Sequence, residues 1–153
     1  MRVLLVGHDT RAVEDLVSGL RLRWPALSPL ATSEGAVALK AVEEDEPDLV
    51  ITVSTLADMS LRSFVAALRT VSNVPLIVLG DGSDELEPVR AMEQGADDYV
   101  RVPFNMMELI VRIIAILRRT GAAAGMPHGE KVLECGNLVI RPPTHEVFLD
   151  GRA

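Results

Sequence analysis

The sequence predicts a doubly wound α/β fold: one five-stranded parallel sheet, (βα)5, with helices on both faces, followed by a short β-rich segment at the C-terminal end. Two observations predict it. Short runs such as Val3–Val6, Leu49–Val53 and Pro75–Leu79 are apolar throughout rather than at alternate positions, as strands buried on both faces are. Between them lie stretches with apolar residues at i, i+3, i+4 and i+7, the stripe of a helix lying on a sheet.

Val3–Val6, closed by Gly7, reads as the first strand, and Val13, Leu16, Val17 and Leu20 as the stripe of the first helix. Pro25 and Pro29 interrupt the chain, and a weak strand falls near Leu27–Ala31. Ser33 is the candidate cap of a helix running to about Glu44. Leu49–Val53 is a second buried strand, and Leu61, Phe64, Val65 and Leu68 repeat the helical stripe. Pro75–Leu79 is a further strand. The next helix starts near Glu87, because Pro88 is tolerated only in a first turn, and Gly95 ends it. Asp98–Val102 is the last strand of the sheet. Asn105, with Glu108 three residues on, marks a capping-box start for a helix to about Arg119.

The chain has 153 residues, room for one domain and part of another. Hydrophobic residues make up 48% and charged residues 24%, the balance of a soluble globular protein. Aromatics are only 3%, so the core must come from Val, Leu, Ile, Ala and Met. Cys135 is the single cysteine, which excludes an intrachain disulfide. Lys and Arg number 15 against 22 Asp and Glu, a net charge of −7. A surface of that sign repels phosphate backbones, so this stretch alone is a poor nucleic-acid binder. No run approaches the roughly 18 apolar residues of a membrane span. Met1–Val6 is too short for the apolar core of a signal peptide. The expectation is a cytoplasmic protein with no membrane partner.

Residues 1–120 read as one domain and 121–131, rich in Gly and Ala, as a linker. Residues 132–153 form a third segment, in which Leu138–Ile140 and Glu146–Leu149 have the pattern of a hairpin. These residues are too few for an independent core, so a truncated domain is expected.

Several landmarks fall in order along the first 120 residues. They are Pro47-Asp48-Leu49-Val50-Ile51, Val74-Pro75-Leu76-Ile77-Val78-Leu79, Gly95-Ala96-Asp97-Asp98-Tyr99-Val100, Pro103-Phe104 and Glu108-Leu109. In these the chain resembles the receiver domains of bacterial response regulators, whose fold is flavodoxin/CheY-like. The Gly-Ala-Asp-Asp-Tyr stretch and the closing Leu117-Arg118-Arg119 resemble the OmpR/PhoB subfamily. Gly136–Ile140 and Val147–Gly151 resemble the β-segment that opens that subfamily's winged-helix DNA-binding domain.

The resemblance implies five groups at the strand ends. Two acids after the first strand hold Mg²⁺, an aspartate ending the third attacks phosphorus, a Ser or Thr ends the fourth, and a Lys ends the fifth. Here these positions carry Gly7, His8, Val53, Gly80 and Val102. Valine has no lone pair and cannot form an acyl phosphate. No catalytic residue, metal or cofactor is therefore expected. Asp9, Ser54, Thr55, Asp58 and Asp81 lie near enough in sequence to be weighed as substitutes. His8 has no partner at metal-ligand spacing and reads as a loop histidine. Val53 and Val102 could meet and fill the vacated pocket, or line a cavity for a small effector.

The subfamily dimerises through its fourth helix, fifth strand and fifth helix, and the resemblance carries this over residue by residue. Two aspartates fall at Asp97 and Asp98, with arginine partners at Arg119 and Arg112. A third acid falls at Glu108, whose basic partner is replaced by Pro88, with Arg90 two residues on. The apolar contacts fall at Ala91, Gln94 and Val111. On the fifth helix Leu109, Ile110, Ile113 and Leu117 form a core stripe, leaving Glu108, Val111, Arg112, Ala115 and Arg119 opposite. An interface and a solvated face with an i, i+4 pair both fit this pattern. Tyr99 falls at the receiver's switch aromatic, and its usual hydroxyl partner is missing at Gly80. The expected function is a phosphorylation-independent receiver that dimerises a DNA-binding transcription regulator. The alternatives are a sensor whose vacated pocket binds a small effector, and a module that binds only other proteins.

Overall fold

The computed structural model describes residues 1–121 and, beyond them, the strand segments 133–135, 138–141 and 146–149. The order is β1 (Arg2–Val6), α1 (Thr10–Arg21), β2 (Ser28–Thr32), α2 (Gly35–Asp45), β3 (Leu49–Val53), α3 (Leu61–Val71), β4 (Leu76–Gly80), α4 (Glu87–Gln94), β5 (Asp98–Arg101) and α5 (Met106–Arg119). The first five strands form one parallel sheet in the order β2-β1-β3-β4-β5. This is the doubly wound fold that the apolar runs predict.

Alternation along the strands divides the core in two. Val3, Leu5, Leu49, Ile51, Ile77, Leu79 and Val100 face α1 and α5, where Leu16, Leu20, Leu109, Ile113 and Leu117 cover them. Leu4, Val6, Val50, Leu76 and Val78 face the other way, under Ala38, Val42, Phe64, Val65, Leu68 and Ala91. Each fully buried Leu or Ile of these stripes stabilises the fold by about 1.5–3 kcal/mol. Ile116 joins the α5 stripe as well, so its buried side is wider than the four residues of the pattern.

Three local details differ from the sequence reading. Ser33 does not cap α2; Glu34 stands at the cap position without a side-chain bond. The carboxylate of Asp58 replaces it, accepting from Gly35 N at 2.7 Å and Ala36 N at 3.0 Å. An ionised acceptor binds two orphan N–H groups more strongly than a hydroxyl would. The capping box of α5 is half formed. Asn105 accepts from Met107 N and Glu108 N, but the Glu108 side chain turns to Arg112 instead of reaching back. Finally, β2 is displaced by one residue, Ser28–Thr32 instead of Leu27–Ala31, and lies at the sheet edge, where Pro29 costs no ladder bond.

Past residue 121, β6 (Leu133–Cys135), β7 (Leu138–Arg141) and β8 (Glu146–Leu149) form an antiparallel sheet. The expected hairpin is β7 with β8, paired Leu138↔Leu149 to Arg141↔Glu146. β6 adds a third strand. The remainder of the linker and the turn at Asp150-Gly151 lie outside the described residues. Among the described residues no helix is long and apolar enough to cross a membrane.

Candidate functional site

Parallel register brings the strand ends to one rim. Val6 lies beside Thr52, Val53 beside Leu79, and Gly80 beside Arg101, so Gly7, Val53, Gly80 and Val102 follow one another across it. Gly7 N donates to Thr32 O, Ser54 N to Leu79 O and Val102 N to Gly80 O, each at 2.8–2.9 Å. These bonds fix the strand-end backbone.

Val53 fills the middle of the rim. A Cβ built on Gly7 would lie 3.2 Å from both Val53 methyls, so the missing side chain at 7 and the valine at 53 fit each other. Val53 packs against the α2–α4 side of the core. Val102 is 38% exposed and His8 is exposed, so the apolar filling is carried by Val53.

The acids that could substitute are already held by backbone. Asp9 caps α1, accepting from Arg11 N and Ala12 N. Asp58 caps α2, and those two N–H bonds hold its carboxyl below the usual range. Asp81 accepts from Ser83 N at 2.9 Å, and its bonds to Ser83 lower its pKa in the same way. Among the described residues no group of three His, Cys, Asp or Glu is placed to hold a metal ion.

The face made by α4, β5 and α5 is built differently. Arg112 donates from Nη1 to both oxygens of Asp98 at 3.2 and 3.0 Å, and from Nε and Nη2 to Glu108 Oε1 at 3.1 and 2.9 Å. The Asp98 bond, then the Glu108 bond, hold the guanidinium further toward its charged form. A groove of about 420 Å³ runs beside them, lined in part by Pro88, Tyr99, Phe104 and Arg112.

Other parts of the face depart from the reading carried over from the resemblance. Asp97 Oδ2 accepts from Arg69 Nη2 at 3.2 Å and from Leu76 N at 2.8 Å, which leaves Oδ1 without a bond from the described residues. Arg90 pairs with Asp84 at 2.8 Å and is engaged away from Glu108. Ala91 is 1% exposed and belongs to the core, so it cannot be an apolar contact of the face. The exposed apolar residues of α4 are instead Val89 (51%) and Met92 (45%), with Val111 (61%) on α5. Their i, i+3 spacing on α4 was a readable signal; which side of the helix faced the core was not. Arg119 is exposed at the end of α5.

Tyr99 joins the rim to the face. Its hydroxyl stands over Gly80, where a Cβ would overlap it, and donates to Glu87 Oε2. Burial, followed by the Glu87 bond and charge, pushes its pKa up to about 12.

Comparison with known proteins places this geometry. The family model described as "Response regulator receiver domain" matches residues 3–114. The transcriptional regulatory protein KdpE of Mycobacterium tuberculosis is 34% identical over 149 residues, covering 97% of this chain and 64% of that protein. The DNA-binding response regulator MtrA of Mycolicibacterium smegmatis is 34% identical over 150 residues, 98% of this chain and 63% of that protein. The transcriptional regulatory protein PrrA of Mycobacterium leprae is 39% identical over 151 residues, with the same two coverages. The chain therefore spans less than two thirds of the length of these relatives. A two-component response regulator from Clostridium difficile shares the fold, with a TM-score of 0.72 at 22% identity over 78% of this chain and 98% of that one.

Proposed function

The chain belongs to the response regulator receiver family, and from that premise we propose that it is an OmpR/PhoB-type receiver that works without aspartyl phosphorylation. Its task is to dimerise a DNA-binding transcription regulator. The observation that carries this reading is the fit of Val53 to Gly7. The position of the phosphoryl acceptor holds a side chain without lone pairs, and a Cβ at position 7 would crowd its methyls at 3.2 Å. Asp58 spends both carboxylate oxygens on backbone N–H groups, and Asp9 and Asp81 each spend one, which ties all three to the loops that carry them.

The dimer would form through α4, β5 and α5. Asp98, Glu108 and Arg112 supply its ordered charges, Val111 with Val89 and Met92 its apolar contacts, and Arg119 reaches toward Asp97 Oδ1 of the second copy. Small exposed apolar residues beside an arranged arginine are what a partner surface offers. The alignment with DNA-binding regulators continues to within a few residues of Ala153, which supports β6–β8 as the start of a C-terminal DNA-binding domain. Two such domains on one dimer would meet tandem half-sites. The reading in which a small effector enters the vacated pocket loses support, because Val53 occupies that space.

Sedimentation velocity of the 153-residue chain, without phosphate analogue, tests the proposal. A dimer at micromolar concentration or tighter, weakened on the order of tenfold by Arg112→Ala, is expected. A monomer at every concentration would remove it.

A further inference from the structure

Tyr99 is the single tyrosine of the chain, and it sits on the strand at the centre of the proposed dimer face. Its ring does not point outward from that strand. It leans across the end of β4, and its hydroxyl occupies the place where a side chain at position 80 would begin. The same point lies 2.7 Å from Glu87 Oε2, so two groups from different elements share the space left by one absent side chain. Glu87 stands in the first turn of α4, where a carboxylate is favoured by the helix dipole. It accepts the phenolic proton, and the backbone of Gly82 adds a weaker hold on the same hydroxyl.

We infer that Glu87 is a positioning residue that latches Tyr99 over Gly80 and so fixes α4 against β5 in a single arrangement with no ligand. A Cβ at position 80 would overlap the hydroxyl where it now stands, so this placement of the ring fits the glycine. The ring also needs an acceptor, because a half-buried phenol without one loses its hydrogen bond to water for nothing in return. An ionised acceptor makes the stronger bond. Gly80 and Glu87 thus act as one device: the first opens the place and the second holds the ring there. A two-state element biased from within needs no effector to select its state. This inference rests on the phosphorylation-independent reading, since it names what sets the face in the dimerising form.

The test uses the 153-residue chain with ring-labelled tyrosine, which gives one ring signal because only Tyr99 is present. Backbone amide shifts of α4 and β5 are recorded alongside, and sedimentation is run on the same samples. Native chain and Glu87→Gln, which keeps an acceptor, should both show a ring signal displaced from that of free tyrosine. Glu87→Ala should move the signal toward the free value, shift the amides of α4, and weaken the dimer on the order of tenfold. Gly80→Thr should displace the ring whatever stands at 87. Glu87 lies at the start of a surface helix, so its variants remain readable even if Gly80→Thr does not fold. A ring signal and α4 amides indifferent to Glu87→Ala would overturn the latch, as would a moved ring with unchanged α4 amides. A native chain that is monomeric while the ring and α4 still answer to Glu87 supports the latch and removes the dimer reading.

Discussion

The rim of the sheet and the face formed by α4, β5 and α5 are built from the same strands, yet their side chains differ in kind. At the rim, Gly7, Val53, Gly80 and Val102 carry no charge, and the nearby acids are turned to backbone N–H groups. A few residues away Asp98, Glu108 and Arg112 form an ordered set of charges with exposed valine and methionine beside them. The fold supports both equally, because the two core layers beneath them are complete. On the proposed function, the contrast teaches that a scaffold and its chemistry separate: the rim gives up the groups for phosphoryl transfer while a surface that reads shape and charge is kept.

The sharpest way to break that contrast is to offer the rim its chemistry. Incubation with acetyl phosphate and Mg²⁺ should leave the intact mass of the chain unchanged. A stable gain of one phosphate, abolished by a single substitution such as Asp9→Asn or Asp58→Asn, would restore the rim to function and sink the comparison. The next largest effect belongs to the face. Val111→Glu would place a carboxylate among the exposed apolar residues of the proposed interface and, in a two-fold dimer, does so on both copies. The dimer dissociation constant should rise by on the order of a hundredfold, or dimer should vanish, in sedimentation. An unchanged dimer would move the interface elsewhere on the molecule.

The three central strands, β1, β3 and β4, are legible in the sequence, because a buried parallel strand needs an unbroken apolar run; β2 and β5 lie at the edges and carry none. The place of the rim is legible at three of its positions, since Gly7, Val53 and Gly80 directly end or follow such a run. What is not legible depends on packing between distant elements. Asp58 reaches the start of α2 across 22 or 23 residues, and Asp97 holds Arg69 from 28 residues away. The resemblance puts Ala91 on the face, whereas the structure rolls α4 so that Ala91 is buried and Val89 and Met92 are outside. An eight-residue amphipathic helix with mixed small residues does not state its own rotation.

The steric fit at the rim can be sharpened with a double-mutant cycle. Gly7→Asp puts a Cβ 3.2 Å from two methyls in a formed β-strand rim, so crowding should cost about 1–3 kcal/mol in urea unfolding. Val53→Ala removes those methyls. In that background the same substitution should cost less, with a coupling of about 0.5–1 kcal/mol. Strict additivity would mean that the glycine and the valine are not fitted to each other.

The smallest effect concerns the residue that belongs to both regions. Tyr99 has an ordinary pKa of 10.0 when unfolded and one pushed up to about 12 in the fold, by burial and by the Glu87 bond and charge. Below pH 10 both states keep the proton and the full contribution is present. Between 10 and 12 the unfolded chain loses the proton first, so it binds fewer protons than the native state and stability falls as pH rises. The native chain minus Tyr99→Phe, compared by urea midpoint across that window, should show this slope, and Lys and Arg titration cancels in the difference. Glu87→Gln should make the slope shallower, because the acceptor then carries no charge. A flat difference would mean that the ring is not held at the rim, and the link between the emptied site and the charged face would be cut at its one shared side chain.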